Sequence, residues 1–495
     1  MTEQQPAHEE PVSAAELLAK TIRRLRSEAE LSQPQLATLT GYSPAYVSLA
    51  ERNKQIPSID LVRAIGHALN AEEELLTLRH RAVAEKSSRR RSAQATEPSG
   101  NRTARTGTAE ALASDAIPTR SAIQASQQEW LGVRQAPGVR GRELTELAAW
   151  LYPDGSHAPG GHVLAGAGWL LPEPAELSTI ALIWQAEHPQ APTVGPLDQV
   201  LPLTDRGVRY ASYSRAVRDL VRPRLLENRL CYRLLDVGTQ GGMRMVFGTA
   251  GYFEVFDVKQ AIAHEFKAAW LAADRSLPDW ERLPLRRSLT DPFDPGQLLM
   301  CPGISTLTIR RDRAGDHTFV LHERDGAKVA DGGGLCHVTP SGEFQPSTVA
   351  ARDIHNDFSL WRNIMREYSE EFLGNPEHDG NGPRSLDYAN QDPFRSFERA
   401  RASGRFRLWH YGLIMEPLEL GAGQLTVAVI DGDEFDTLFA GLVEINDEGR
   451  HVGTHGRLGM PFTREAIDRL NPRLSASALT LLELAWRDRV LLLHG

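Results

Sequence analysis

The sequence predicts a multidomain chain: an all-α N-terminal domain, a flexible linker, and an α+β region filling the remainder. Three observations predict it. A length of 495 residues exceeds what one hydrophobic core organises. Residues 13–84 repeat apolar side chains at helical spacing between short polar turns. Over residues 85–128 large apolar side chains nearly vanish, and from Glu129 they return in mixed helical and alternating patterns.

Composition narrows the function classes. With 41% hydrophobic and 24% charged residues, the chain reads as globular. A net charge of -9 excludes a protein coated with basic charge, so any contact with DNA has to be local to one face of one domain. The three cysteines, Cys231, Cys301 and Cys336, are too few and too scattered for a disulfide framework or a zinc finger. Met1–Pro11 is polar and acidic, unlike a signal peptide, and no apolar run is long enough to cross a bilayer. The expected location is a reducing cytoplasm.

In the N-terminal domain, Ile22 and Leu25 give a first helix its apolar stripe. Ser32-Gln33-Pro34-Gln35 supplies a capping box, with proline inside the first turn of a second helix. Gly41 suits the left-handed backbone of a tight interhelical turn. Ser43-Pro44 starts a third helix by the same logic, with Val47 and Ala50 facing inward. Pro57-Ser58 breaks the chain before a fourth, on which Leu61, Ile65 and Leu69 recur at helical spacing. Residues 20–54 carry Lys20, Arg23, Arg24, Arg26, Arg52 and Lys54 against Glu28, Glu30 and Glu51, a local basic excess that favours DNA over a protein partner.

Ile22-Arg23-Arg24-Leu25-Arg26, Leu31-Ser32-Gln33, Leu36-Ala37, Gly41-Tyr42-Ser43 and Val47 through Lys54 together resemble the Cro/C1-type (XRE) helix-turn-helix family over residues 13–80. The resemblance implies that the third helix enters the major groove of double-stranded DNA. It implies that Gln33 clamps a phosphate and that Ser43, Pro44, Ala45, Tyr46, Ser48 and Leu49 form the groove-facing surface, with Arg52 and Lys54 beside it. Asn53 departs from the family's glycine, yet tolerates the same backbone. Pro44, Ala45 and Leu49 are apolar where relatives carry long polar readers. They can touch thymine methyls but cannot hydrogen-bond guanine or adenine. DNA shape and a homodimer are expected to supply the remaining specificity.

The linker opens on Lys86, Arg89, Arg90 and Arg91 and then runs through Ser, Ala, Thr, Arg and Gly. Residues 129–290 read as an α+β middle domain of open role. Tyr213–Leu220 and Val258–Trp270 are predicted helices, and Tyr232–Val237 and Arg244–Phe247 are strands joined by a hairpin at Gly241-Gly242.

Residues 291–495 form the last predicted domain. Ser305–Arg311 and Thr318–Arg324 alternate as strands about a turn at Gly315; Phe406–Met415 and Gln424–Ile430 read as two more. Between them, Phe358, Trp361, Met365, Tyr368 and Phe372 define the buried side of a helix that carries Arg366, Glu367, Glu370 and Glu371. Carboxylates at i, i+3 and i+4 share a helix face and repel unless neutralised. Their hard oxygens suit Mg²⁺ or Mn²⁺. Gly332-Gly333-Gly334, the phrase Thr339-Pro340-Ser341-Gly342-Glu343 and the Arg-Glu-x-x-Glu-Glu helix together resemble the Nudix family. That resemblance implies an α/β/α sandwich, with Glu367, Glu370 and Glu371 as metal ligands for a diphosphate substrate. Phe358 stands where the Nudix signature has a glutamate, Gly374 falls one residue late, and a long insertion follows Gly334. The degenerate signature points away from catalysis.

Other features are set aside. His264-Glu265 lacks the second histidine of a zinc protease motif and reads as a structural pair. His157 and His162 flank a glycine-rich loop, and Gly238–Gly242 is a hairpin, not a phosphate loop. Arg209, Tyr210, Tyr213, Glu227, Asn228 and Arg233 either line a pocket or pack elements together. The expected function is a DNA-binding transcriptional regulator whose C-terminal region senses a small molecule, a nucleotide derivative such as ADP-ribose. The alternative is a Mg²⁺-dependent Nudix-type hydrolase fused to a DNA-binding domain.

Overall fold

The computed structural model describes residues 13–29, 31–40, 47, 50–52, 57, 59–69, 71–94, 118–136, 142–223, 226–324, 335–378, 385–442, 449–454 and 457–494. The chain divides into two compact units, Met1–Ser114 and Asp115–Gly495.

The first unit is helical: α1 (Ala14–Glu28), α2 (Gln33–Thr40), α3 (Ile59–Ala68) and α4 (Glu72–Gln94). Ser13 caps α1 by accepting a hydrogen bond from the Glu16 N–H. The expected capping box starts α2: the Gln35 N–H donates to Ser32 Oγ at 3.3 Å, and the Ser32 N–H donates to Gln35 Oε1 at 2.8 Å. Leu18, Ile22, Leu36, Ala37, Val47, Ala50, Val62, Ile65, Leu75 and Leu78 form one core, with Leu25 and Leu69 at its margin. α3 and α4 approach closely at Gly66, where a Cβ would lie 2.5 Å from Glu72 Cα. α4 continues through Gln94, so the first part of the expected linker is helical, and its last part begins helix α5 (Arg120–Gln135). Residues 95–117 lie outside the described set.

The second unit is built on a mixed sheet. Its strands are β1 (Leu170–Glu176), β2 (Ala181–Trp184), β3 (Leu230–Gly238), β4 (Arg244–Gly251), β5 (Gly303–Arg311), β6 (Thr318–Phe319), β7 (Leu321–Arg324), β8 (Cys336–Val338), β9 (Ser341–Gly342), β10 (Phe406–Glu416), β11 (Gly421–Asp431), β12 (Gly449–Thr454), β13 (Arg457–Leu458) and β14 (Met460–Pro461). The main sheet runs β1-β10-β11-β5-β6-β14, with β9 on β5; smaller sheets run β13-β12-β7-β8 and β2-β4-β3. β11 and β5 are parallel, while β10 and β11 are antiparallel.

Alternation along the central strands feeds two cores. Leu307 and Ile309 of β5 and Leu425, Val427 and Val429 of β11 face a C-terminal helix, Ala476–Arg487, through Leu479, Leu482 and Ala485. Ala428, Ile430 and Ile304 face the opposite side, where the helix Leu360–Glu367 brings Trp361, Ile364 and Met365. A bulge between His410 and Gly412 inverts the alternation of β10, so Leu408 before it and Leu413 and Met415 after it reach the same core. Gly412 has φ 111°, and a Cβ there would sit 1.9 Å from the carbonyl oxygen of Trp169.

The structure corrects the expected split into domains 129–290 and 291–495. β1, from the first, pairs with β10, from the second, and Tyr232 packs against Phe344 with tilted rings, their centroids 4.4 Å apart. A boundary at residue 290 would cut through a sheet and a core. The expected strand Thr318–Arg324 also divides, with β6 in the main sheet and β7 in a small one. The expected hairpin is β3–β4, its two glycines both at positive φ, and Val258–Trp270 lies within a longer helix, Tyr252–Ala272. Among the described residues no helix is long and apolar enough to cross a membrane.

Substituting Gly412 by alanine forces a side chain into a backbone carbonyl at a φ that disfavours it. Its unfolding transition in urea should move to lower concentration, with a loss of about 3 kcal/mol. An unchanged midpoint would contradict the close approach of β1 and β10.

Candidate nucleic-acid interface

The organising feature of the first unit is a buried carboxylate. The Glu51 side chain is 1% exposed, and two elements converge on it. From α1, Arg26 donates through Nε to Oε1 at 2.5 Å and through its terminal nitrogen to Oε2 at 3.1 Å. From the start of α2, Gln33 Nε2 donates to Oε2 at 2.8 Å. Arg23 of α1 donates to the Glu51 carbonyl oxygen at 2.9 Å. Arg26 also donates to the Leu31 carbonyl at 2.6 Å, tying down the turn between α1 and α2.

Burial alone would raise the Glu51 pKa. The hydrogen bonds from Arg26 and Gln33 and the charges of Arg26 and Arg23 outweigh it and hold the carboxyl below its ordinary value. The group is therefore ionised in the folded domain, and its pairing satisfies a charge that would otherwise be costly to bury.

This arrangement revises the roles read from sequence. Gln33, expected at a phosphate, is engaged with Glu51. The local basic excess is largely internal: Lys20 pairs with Glu16 at 2.7 Å, Arg24 with Glu28 at 3.0 Å and Glu74 at 3.3 Å, and Arg23 and Arg26 with Glu51. Arg52, one residue beyond Glu51, is exposed. Ser43, Pro44, Ala45, Tyr46, Ser48, Leu49 and Lys54 lie outside the described residues, as do Gly41 and Asn53. The Glu51 hub was missed because the sequence shows only an acid among bases. Its helical spacing beside Val47 and Ala50 was the available signal.

The expected metal site is not assembled. Glu371 accepts hydrogen bonds from Thr339 Oγ1 at 2.5 Å and the Ser341 N–H at 2.8 Å, and Glu370 accepts from the His378 N–H at 3.0 Å. Glu367 lies over Gly342, whose Cβ, if present, would be 2.3 Å from the carboxyl carbon. A π-helical turn, Tyr368–Phe372, follows Glu367, and Glu367 and Glu371 both meet the loop at Ser341 and Gly342 while Glu370 turns to His378. Burial pushes the Glu370 pKa up to about 7. Among the described residues no group of three His, Cys, Asp or Glu side chains is placed to hold a metal ion. Gly332-Gly333-Gly334 lies outside the described residues.

The features set aside from sequence are structural. His264 bonds Tyr213 Oη at 3.0 Å and is buried to a pKa of about 3, while Glu265 accepts from the Leu285 and Arg286 N–H groups. His157 bonds the Ala149 carbonyl and His162 meets Glu146 at 2.8 Å. Asn228 accepts from the Phe253 N–H and Arg233 donates to the Pro189 carbonyl, so these members of the polar-aromatic group tie elements together.

Residues 17–78 match the family model of a helix-turn-helix domain. No curated protein matches the chain. Among solved structures, the crystal structure of the clp gene regulator ClgR from Corynebacterium glutamicum is similar at 26% identity, over 18% of this chain and 93% of that one, with a TM-score of 0.14. A second ClgR crystal structure from the same organism shows 29% identity over 14% and 92%, with a TM-score of 0.13.

Because the folded pKa of Glu51 is depressed, its contribution to stability is complete above the unfolded carboxyl pKa of about 4.3 and is lost as pH falls through the folded value. The melting temperature of the first unit should drop steeply below about pH 4. Glu51→Ala, which leaves Arg26 without its partner, should cost about 3 kcal/mol at neutral pH and flatten that acid dependence. A wild-type acid profile in the variant would remove Glu51 from this role.

Proposed function

We propose that the chain is a DNA-binding transcriptional regulator of the Cro/C1-type (XRE) class. The observation that carries this reading is the helix-turn-helix domain over residues 17–78, folded around Glu51 with its second helix capped as the sequence dictates. In this reading the third helix lies in the major groove, Ser43, Pro44, Ala45, Tyr46, Ser48 and Leu49 face the bases, and Arg52 and Lys54 meet phosphates. Gln33 orients the surface through Glu51 and offers the second proton of its amide to a phosphate. A homodimer on a two-fold site extends the readout.

The larger unit is read as the sensor, a Nudix-like body without the metal chemistry. A mixed sheet with a parallel β5–β11 pair, flanked by helices on both faces, supports that reading. So does an open cavity of about 290 Å³ lined by Pro159, His162, Asn471, Leu479, Glu483 and Arg487, a volume that suits a small effector. The effector would act by binding the DNA-competent and incompetent states with different affinity.

Selection of bound sites from a random duplex library should enrich one motif. Arg52→Ala should weaken binding to it about tenfold at equal melting temperature. Recovery of no motif would sink sequence-specific recognition. In a thermal-shift screen, a nucleotide derivative should raise the transition of the larger unit without added metal. No shift with any nucleotide would remove the nucleotide-sensor reading.

A further inference from the structure

The surface of the second unit carries a group of exposed arginines, of which Arg209 donates to the Leu201 carbonyl and the charges are otherwise turned to solvent. Within 205–222, Arg206, Arg209, Arg215, Arg218 and Arg222 are all exposed, and among the described residues none of the five makes an ion pair. The acids of the segment are Asp205 and Asp219, so the balance is five cations to two anions in a chain whose net charge is -9.

Three of these side chains lie on or next to one short helical segment. Ser212 caps a short helix, Tyr213–Ala216, which continues as a π-helical turn, Val217–Val221. Tyr213, Ser214, Ala216 and Val217 are buried, while Arg215, Arg218 and Arg222, at the end of the π turn, are exposed. Arg218 lies 5.8 Å from the Phe253 ring, and Arg222 Nε donates to the Asp219 carbonyl at 3.1 Å.

Arg222 adds an independent observation. It ends the π turn in the left-handed conformation, φ 57°, where glycine is the favoured residue. An arginine held there is not explained by backbone geometry. Arg206 and Arg209 precede this segment on a loop whose Gly207 packs against Pro118, its Cβ position 2.9 Å from Pro118 Cδ. Pro118 is the first described residue of this unit.

We propose that this arginine group binds the phosphate backbone of double-stranded DNA, giving the second unit its own sequence-independent DNA contact. The proposal rests on the reading of the chain as a DNA-binding protein. Five exposed arginines against two acids in the segment complement the charge of a polyanion.

The test uses the full chain and a fluorescein-labelled random-sequence duplex several helical turns long, titrated between about 0.05 and 0.3 M salt. In R215A/R218A/R222G the slope of log K against log salt should fall by about 2–3, and affinity near 0.1 M salt by at least about tenfold. R222G alone, which relaxes the backbone, should keep the wild-type melting temperature and lower the slope by about 1. Unchanged slope and affinity in both variants, with Arg52→Ala still weakening binding, would overturn this contact and leave the helix-turn-helix reading intact. Loss in these two variants alone, with Arg52→Ala unaffected, would support the contact and count against the recognition surface. Absence of wild-type binding at the lowest salt would overturn both.

Discussion

The first unit depends on the pairing of one buried carboxylate with two arginines and an amide. Glu51 sits on the third helical segment, yet its partners come from α1 and from the first residue of α2. Apolar packing by Ile22, Leu36 and Val47 is non-directional and tolerates small rotations of the helices. A charged group with fixed hydrogen-bond geometry does not. It fixes α1 and the start of α2 against the segment that carries Glu51. Its cost is that four of the six basic residues in 20–54 face inward or pair on the surface of the domain. The DNA-facing charge is correspondingly smaller than a residue count implies.

In the second unit the corresponding constraint is geometric. The bulge at His410–Gly412 lets one long strand keep apolar side chains on the same core across an inverted alternation. It also lets β1 approach until the Trp169 carbonyl occupies the space of a missing Cβ. That approach joins residues 170–176 to a sheet whose other strands lie beyond residue 302, making one body of what the chain order separates.

The glutamates spaced for one α-helical face meet different partners around the π turn at Tyr368–Phe372. Glu371 accepts from Thr339 and Ser341, and Glu370 accepts from the His378 N–H. These contacts fix the Thr339–Ser341 loop and the backbone of His378 against the helix.

Local rules were legible in the sequence because they act within a few residues. The Ser32–Gln35 capping box, the inward positions of Val47 and Ala50, the Gly241-Gly242 hairpin and the central strands of the large sheet all follow from periodicity and turn chemistry. Whatever depends on distant partners was not legible. The role of Gln33 required Glu51, eighteen positions away, and the unity of residues 115–495 required β1 to meet β10. The partners of Glu370 and Glu371, which are His378, Thr339 and Ser341, are likewise not encoded in the glutamate spacing. The sequence by itself determined that a helix-turn-helix domain precedes a large α/β body. Tertiary structure alone decided which charges pair within the fold, like Arg26 with Glu51, and which stay exposed, like Arg215 and Arg218, because pairing depends on distances that only the folded chain creates.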